Sequence, residues 1–280
     1  MNSYITLTHQ HLHHTEFYGI FSTYVYYLAP FTRHYRNNEL FLSYMPKHFQ
    51  EQKTAHAIRR RIEKAGPGCL WRPKDFPDFP ARTVAKTLTR LSQRGVLTKI
   101  NRGTYFFGKE TPLGRTMPQA SDVADKLFAS KFTGGLHAYY NLGLTRQVPA
   151  TLTIVSPSRN HIQKTKTIRR NIMHLKNASD QEFWILETLR NIKNIPDCPP
   201  HTAIAKIMDF IIKNNIETKR LIRFAMHEPP RVRALLGAIS QDLGTPPDML
   251  IPLKKSLNQL TLFKIGVLAV LKHAKEWNIE

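Results

Sequence analysis

The chain has 280 residues and carries 41 Lys and Arg against 20 Asp and Glu, a formal net charge of +21. That length allows two domains, each large enough to bury a core, and the charge points to a polyanionic partner. Its only cysteines, Cys69 and Cys198, exclude a disulfide framework and a CxxC metal pair, and a reducing cytoplasm is the simplest compartment.

The N-terminal 44 residues differ in character from the rest. His9, His11, His13 and His14 form a polar tract, and an aromatic-rich run follows from Phe17 to Phe31. No second ligand cluster lies near the tract in sequence, so no metal is assigned to it. Ser22, Thr23 and Pro30 break the aromatic run, which is too short to span a membrane. It also lacks the basic start and small-residue cleavage site of a signal peptide. Met45-Pro46-Lys47 reads as a plausible start. Residues 1–44 are therefore expected to be a dispensable extension, disordered or a misassigned start.

Residues 45–115 hold 16 Lys and Arg against 5 Asp and Glu, whereas residues 116–280 hold 23 against 13 over more than twice the length. The dense part begins with a helical pattern from Glu51 to Ala65, with Ala55, Ile58, Ile62 and Ala65 facing inward, stopped by Gly66-Pro67-Gly68. Cys69-Leu70-Trp71 supplies a short strand, and Lys74 to Phe79 a compressed turn bounded by prolines. Trp71, Phe76 and Phe79 are expected in the core.

The stretch from Pro80 to Gly95 is the sharpest helix in the chain. Ala81, Val84, Ala85, Leu88 and Leu91 recur at offsets of three and four, which places them on one face. A second, cationic and hydroxyl-bearing stripe holds Arg82, Thr83, Lys86, Thr87 and Arg90. Pro80 suits the first helical position and Gly95 the C′ position. After it, Val96 to Ile100 and Thr104 to Phe107 read as strands joined by Asn101-Arg102-Gly103, a hairpin with Lys99 and Arg102 near its tip. Helix, short turn element, basic helix and two-stranded wing is the order of a winged helix-turn-helix over residues 45–110. In such a unit the basic helix lies in the DNA major groove and the wing meets the backbone or minor groove.

Lys109 to Pro118 reads as an interdomain linker leading to a second domain over residues 111–280. Its first part, 116–178, has helical patterns at Ser121–Lys131 and Leu136–Leu142, then a buried strand at Thr151–Val155 with a partner at Thr165–Leu175. Gly134-Gly135 is expected to be a turn between helices. Lys164, Lys166 and Arg170 share one face of the partner strand and form a secondary basic patch, with Arg169 on the other face. From Ser179 the chain is helical, over 179–194, 200–214, 216–227, 229–243 and 253–276, and no repeat of constant length appears. The fold class expected is α+β, mostly α.

No catalytic constellation stands out. G-x-S-x-G, H-E-x-x-H and G-x-x-x-x-G-K are absent from the sequence. Asp209 with Glu217-Thr218-Lys219 has the residue order of a metal-dependent nuclease, but all four fall in helical patterns rather than on adjacent strands. A nucleic-acid-processing enzyme is thus the alternative to a non-catalytic DNA-binding regulator, with no cofactor expected. His137 with Tyr139 and Tyr140 has the makings of a small polar site, which a helix packing its Tyr rings inward explains without chemistry.

The block ARTVAKTLTRLSQRGVLTKINRGTYFF, followed by LHAYYNLGLTRQVPATLTIVSPSR, resembles the AbiEi family of antitoxins from type IV toxin–antitoxin systems, in its branch of AbiEi-like transcriptional regulators. The resemblance covers residues 50–265. It implies a winged-helix domain that represses its own operon at repeated operator sites on double-stranded DNA. It further implies a C-terminal domain that neutralises a nucleotidyltransferase-like toxin encoded next door. By position, Arg82, Thr83, Lys86, Arg90, Lys99 and Arg102 fall where such proteins contact DNA.

Overall fold

The computed structural model describes residues 47–280, so the expectations for the His tract, the aromatic run and the start at Met45 lie outside the described residues. The fold is α+β and predominantly helical, with three small sheets among the described residues.

The first unit is built on two amphipathic helices, α1 (Lys47–Ala65) and α2 (Ala81–Gln93). Ile58 and Ile62, one turn apart on α1, meet Val84, Leu88 and Leu91 of α2 in a small core that also holds Phe76 and Leu97. Ala65, expected to face inward, is exposed at the helix end. Between the helices run strand β1 (Cys69–Trp71) and a 3-10 turn (Pro73–Asp75). Phe76 is buried against the Trp71 ring at 5.2 Å between centroids, and Trp71 and Phe79, themselves half-buried, pack against the same core. Pro80 sits one place earlier than expected, as the residue before the helix, where its carbonyl accepts from Val84 N–H at 3.1 Å. After α2, β2 (Thr98–Asn101) and β3 (Thr104–Phe107) form a ribbon, and β1 pairs with β3 to complete an antiparallel sheet of order β1-β3-β2.

The expected linker is structured. Residues 109–116 close into a tight hairpin, β4 (Glu110–Thr111) and β5 (Gly114–Arg115), whose Arg115 pairs with Glu110 at 2.6 Å and also donates to the Gly95 carbonyl. Both strands are two residues long, and Leu113 at the tip is fully exposed. Helix α3 (Ala120–Leu127) follows and ends sooner than the sequence pattern suggested. Residues beyond it extend into β6 (Phe132–Thr133), which stacks Phe132 on Phe183 with ring centroids 4.4 Å apart. An apolar seam then forms in which Leu70 and Ile100 from the first unit pack on Val123, Ala124, Leu127, Ile154 and Ile162.

Strand β7 (Leu152–Ser156) pairs antiparallel with β6 and parallel with β8 (Thr165–Arg169), giving the order β6-β7-β8. The partner strand stops at Arg169, short of the expected Leu175, because Ile172 and Leu175 turn inward through a 3-10 turn (Met173–Leu175) under the helices. The Gly134-Gly135 pair lies between β6 and helix α4 (Leu136–Asn141), not between two helices. A Cβ on Gly134 would come within 2.8 Å of Val155 Cγ2.

Helices α5 (Asp180–Arg190), α6 (Pro200–Lys213), α7 (Thr218–Ala225), α8 (Pro230–Asp242) and α9 (Pro247–Lys255) form the C-terminal bundle. Ser179 caps α5 reciprocally: its hydroxyl accepts from Glu182 N–H, and the Glu182 carboxylate accepts from Ser179 N–H at 2.7 Å. α8 is the central helix, buried continuously from Ala234 to Ser240. The long last helix expected over 253–276 does not form. Pro252 lies inside α9, and the chain from Ser256 to His273 is irregular. Asp242 on α8 accepts from the backbone N–H groups of Lys272 at 2.8 Å and His273 at 3.2 Å, and from the His273 ring. The Trp277 indole donates to Gln241 at 2.7 Å, and its ring lies on Gly237.

Three buried glutamates are each matched by an arginine. Glu182 accepts from Arg220 at 2.7 Å, Glu187 from Arg170 at 2.6 Å, and Glu228 from Arg190. Burial pushes the Glu182 carboxyl up, but hydrogen bonds from Arg220 and Ser179 outweigh it and hold the pKa below the ordinary glutamate value. Tyr139, buried beside Glu187, has its phenol pushed up to about 12, first by burial and then by the Glu187 charge.

An added Cβ at Gly237 would overlap the Trp277 ring, so Gly237→Ala is expected to cost roughly 1–3 kcal/mol or more of unfolding free energy in a denaturant titration. Arg170→Ala leaves the Glu187 carboxylate buried and unpaired, and roughly 3–5 kcal/mol should be lost in the same assay. Tyr139 releases its proton less readily folded than unfolded, so its contribution is complete below the unfolded phenol value and is lost as pH rises towards about 12. Tyr139→Phe should therefore flatten the alkaline fall of melting temperature relative to wild type; parallel curves would contradict the assignment.

Candidate nucleic-acid interface

Helix α2 divides its residues sharply. Val84, Leu88 and Leu91 are buried, and Arg82, Lys86 and Arg90 are exposed, with Thr83 half-buried beside them. Thr87 is a correction to the predicted stripe. It is 5% exposed and lies between Val84 and Leu91 in the helical period, on the buried side of the stripe, where it lines the groove towards α1. Thr89 hydrogen-bonds the Ala85 carbonyl at 2.8 Å and the Tyr105 hydroxyl at 2.9 Å, which fixes α2 against the ribbon. The first turn of α2 has neither a side-chain cap nor an acidic residue. Its free N–H groups and positive dipole end thus add to the Arg82 charge rather than oppose it.

Beside α2, a groove of about 460 Å³ opens towards α1. Gln52, His56 and Arg59 line one side, and Lys86, Arg90 and Arg94 the other. Arg59 is exposed and shares its charge with Glu63 at 2.7 Å. His56 and Arg59 were missed in the sequence because α1 was read only for its inward residues. Their spacing with Gln52, at offsets of three and four, carried the signal.

Lys99 and Arg102 are exposed on the β2–β3 ribbon. The ribbon is not free-standing. Asn101 donates through Nδ2 to the His161 carbonyl at 2.5 Å, so its turn is docked on the loop between β7 and β8. Arg72, behind the ribbon, donates to the Lys126 carbonyl at 3.0 Å, and Lys126 pairs with Asp75 at 2.8 Å.

The secondary patch is divided by the structure. Lys164 and Lys166 are exposed, but Lys164 precedes β8 with a φ of 57°, so the strand alternation does not extend to it. Arg170 is a second correction. It lies past the end of β8 and turns into the protein to neutralise Glu187, whose side chain is 1% exposed, while Arg169 stays exposed. A buried carboxylate without a cation is far costlier than an unpaired surface arginine, and this decides where Arg170 points.

Among the cations of the bundle, Arg220 pairs with Glu182, Arg231 donates to the Arg190 carbonyl, and Arg233 donates to the Ser256 carbonyl at 3.0 Å. Lys219 and Arg223 are exposed. Asp209 and Glu217 are both exposed, one on α6 and the other at the start of α7. Tyr139 is buried and Tyr140 exposed, so α4 does not gather the two rings into one site. Among the described residues no three His, Cys, Asp or Glu side chains are grouped to hold a metal, and no helix is long and apolar enough to cross a membrane.

Residues 57–195 match the model of a family described as a family of unknown function, DUF6088. That span runs from α1 to just beyond α5. No curated protein matches the chain. Among solved structures, the chain is similar to the RV2827C protein from Mycobacterium tuberculosis, with a TM-score of 0.40 and 12% identity over 77% of this chain and 85% of that one.

Proposed function

We propose that residues 47–107 are a winged helix-turn-helix that binds double-stranded DNA, and that the chain is a sequence-specific, non-catalytic transcriptional regulator acting in the cytoplasm. The observation that carries this reading is the division of α2. One face is locked into the core by Val84, Leu88 and Leu91, and the opposite face exposes Arg82, Lys86 and Arg90 next to a ribbon bearing Lys99 and Arg102. A rigid helix with cations a turn apart fits the width of the major groove, where Arg and Lys reach guanine edges and phosphates. The net charge of +21 supplies long-range attraction to the duplex.

The resemblance to AbiEi-like regulators extends the reading. In that form the chain is the autorepressing antitoxin of a type IV toxin–antitoxin system, and its C-terminal part counteracts a nucleotidyltransferase-like toxin. That extension rests on the sequence blocks alone, and rescue of growth on co-expression with the product of the neighbouring gene tests it.

For DNA binding, duplexes covering the region upstream of the chain's own gene are the probe, read by fluorescence anisotropy. Arg82→Ala and Lys86→Ala are each expected to weaken binding with little change in melting temperature. A lost base-edge contact costs about 1–3 kcal/mol and relaxes discrimination at one base pair, whereas a lost phosphate contact lowers the salt slope by roughly one unit. A double variant that binds as wild type does would remove α2 as the reading helix. Plasmid cleavage that requires Mg²⁺ or Mn²⁺ and is abolished by Asp209→Ala or Glu217→Ala would replace the regulator with a nucleic-acid-processing enzyme.

A further inference from the structure

Where the ribbon docks on the β7–β8 loop, the two leave an open trough of about 540 Å³. Lys99 and Arg102 contribute from the ribbon, Arg72 from the residue after β1, and Arg159, His161 and Gln163 from the loop. Among the described residues no carboxylate lines it, and Asp75, three residues after Arg72, is already paired with Lys126. Lys99, Arg102 and Arg159 have no ion-pair partner among the described residues. The walls are fixed, not merely adjacent. Asn101 donates to the His161 carbonyl at 2.5 Å and Asn160 to the Leu127 carbonyl at 3.3 Å, while Ile100 and Ile162 meet in the apolar seam below.

The geometry points to this trough as a seat for the sugar-phosphate backbone of duplex DNA beside the segment that α2 reads, with Arg159 as a phosphate contact supplied from outside the winged-helix unit. The inference rests on the DNA-binding reading and adds to it a contact made by the second unit. Three features favour a polymer backbone over a small anion. The lining residues Lys99, Arg102, Arg159 and Gln163 are all exposed, so the trough is open rather than enclosing. Its lining is mainly cationic and amide-bearing, with Ile100 and Leu127 as its apolar members. It is also continuous with the ribbon, since Lys99 and Arg102 belong to both, so a strand following the ribbon runs on to Arg159. Phosphate contacts of this kind set register on the duplex and carry no sequence information themselves.

The test measures binding of the full chain to a mixed-sequence duplex of about three helical turns, roughly 30 base pairs, over a range of salt concentrations. Arg159→Ala is expected to lower the slope of log affinity against log salt by about one unit, because one fewer phosphate is neutralised. Arg159→Lys should restore the slope, and Gln163→Glu, which places a carboxylate in the trough, should weaken binding. Arg223→Ala, which removes an exposed bundle cation, is the control and should leave the slope unchanged. An Arg159→Ala slope equal to wild type overturns the proposal, and so does an equal drop for Arg223→Ala, which would make the effect one of net charge. Inorganic pyrophosphate provides the last arm. If it raises the melting temperature of wild type but not of Arg159→Ala while the duplex slope is unchanged, the trough holds a free phosphate ligand and not DNA. Failure of the wild type to bind the duplex at low salt would instead refute the DNA-binding reading itself.

Discussion

The apolar seam beneath the ribbon is the contact on which the arrangement of basic groups depends. Leu70 and Ile100, on β1 and β2, are half-buried, and they reach past their own sheet to Val123, Ala124, Leu127, Ile154 and Ile162. A two-stranded ribbon on its own is marginal in water. Here it gains a third strand on one side and an apolar support underneath, and each fully buried Leu or Ile in such a seam contributes roughly 1.5–3 kcal/mol. The polar ties from Asn101 and Arg72 give direction to that packing, because they accept only one register of the ribbon on the loop. A ribbon that would otherwise sway is held at a fixed place, and the cations on both sides of the joint inherit that rigidity. Pre-ordered cations lose less entropy on meeting a phosphate chain than cations on a mobile loop do.

Much of the first unit was legible from the sequence, and the reason is local. α2 has an apolar stripe at helical spacing, a proline before it and a glycine after it, and Asn101-Arg102-Gly103 marks the turn of the ribbon. Those signals act within a few residues, where pattern and structure agree. Thr87 escaped because a stripe of charge was drawn too wide. On α2 it stands three residues from Val84 and four from Leu91, on the buried side. The helix expected to reach Lys131 fails for a different reason: Phe132 finds a better place stacked on Phe183, some 50 residues away in the chain, and no local window contains that partner.

The C-terminal end shows the same limit more plainly. Val267, Leu271 and Ala274 fall at helical spacing, and the pattern over 253–276 reads as one amphipathic helix. What decides against it lies on α8. Asp242 captures the N–H groups of Lys272 and His273, which a helix would have used internally, and Gly237 leaves the space that Trp277 fills. Once the Trp277 ring is seated, the segment before it must cross rather than coil, and Ile265, Val267 and Leu271 are buried from an irregular backbone. A periodic pattern records which residues are apolar. It does not record whether the neighbouring element offers the flat bed that a helix needs or the notch that a tryptophan needs.

The fate of the charged residues follows from burial rather than from their number. In the C-terminal part, Glu182, Glu187 and Glu228 are all withdrawn from solvent, and each draws an arginine with it. A carboxylate leaves water at a cost of several kcal/mol and needs a cation and further hydrogen bonds in compensation. Arg170, Arg190 and Arg220 are thereby committed to those carboxylates, and they cannot serve a partner without leaving a buried charge unpaired. Counting lysines and arginines along the chain therefore overstates the cationic surface of the bundle. In the first unit the balance is different. Two of its ion pairs, Arg59 with Glu63 and Arg61 with Asp78, are exposed on both sides, so water screens them and they hold their partners only weakly. The exposed cations of the second part are then fewer than its Lys and Arg count implies, with Arg159, Lys164, Lys166, Arg169, Lys219 and Arg223 among them.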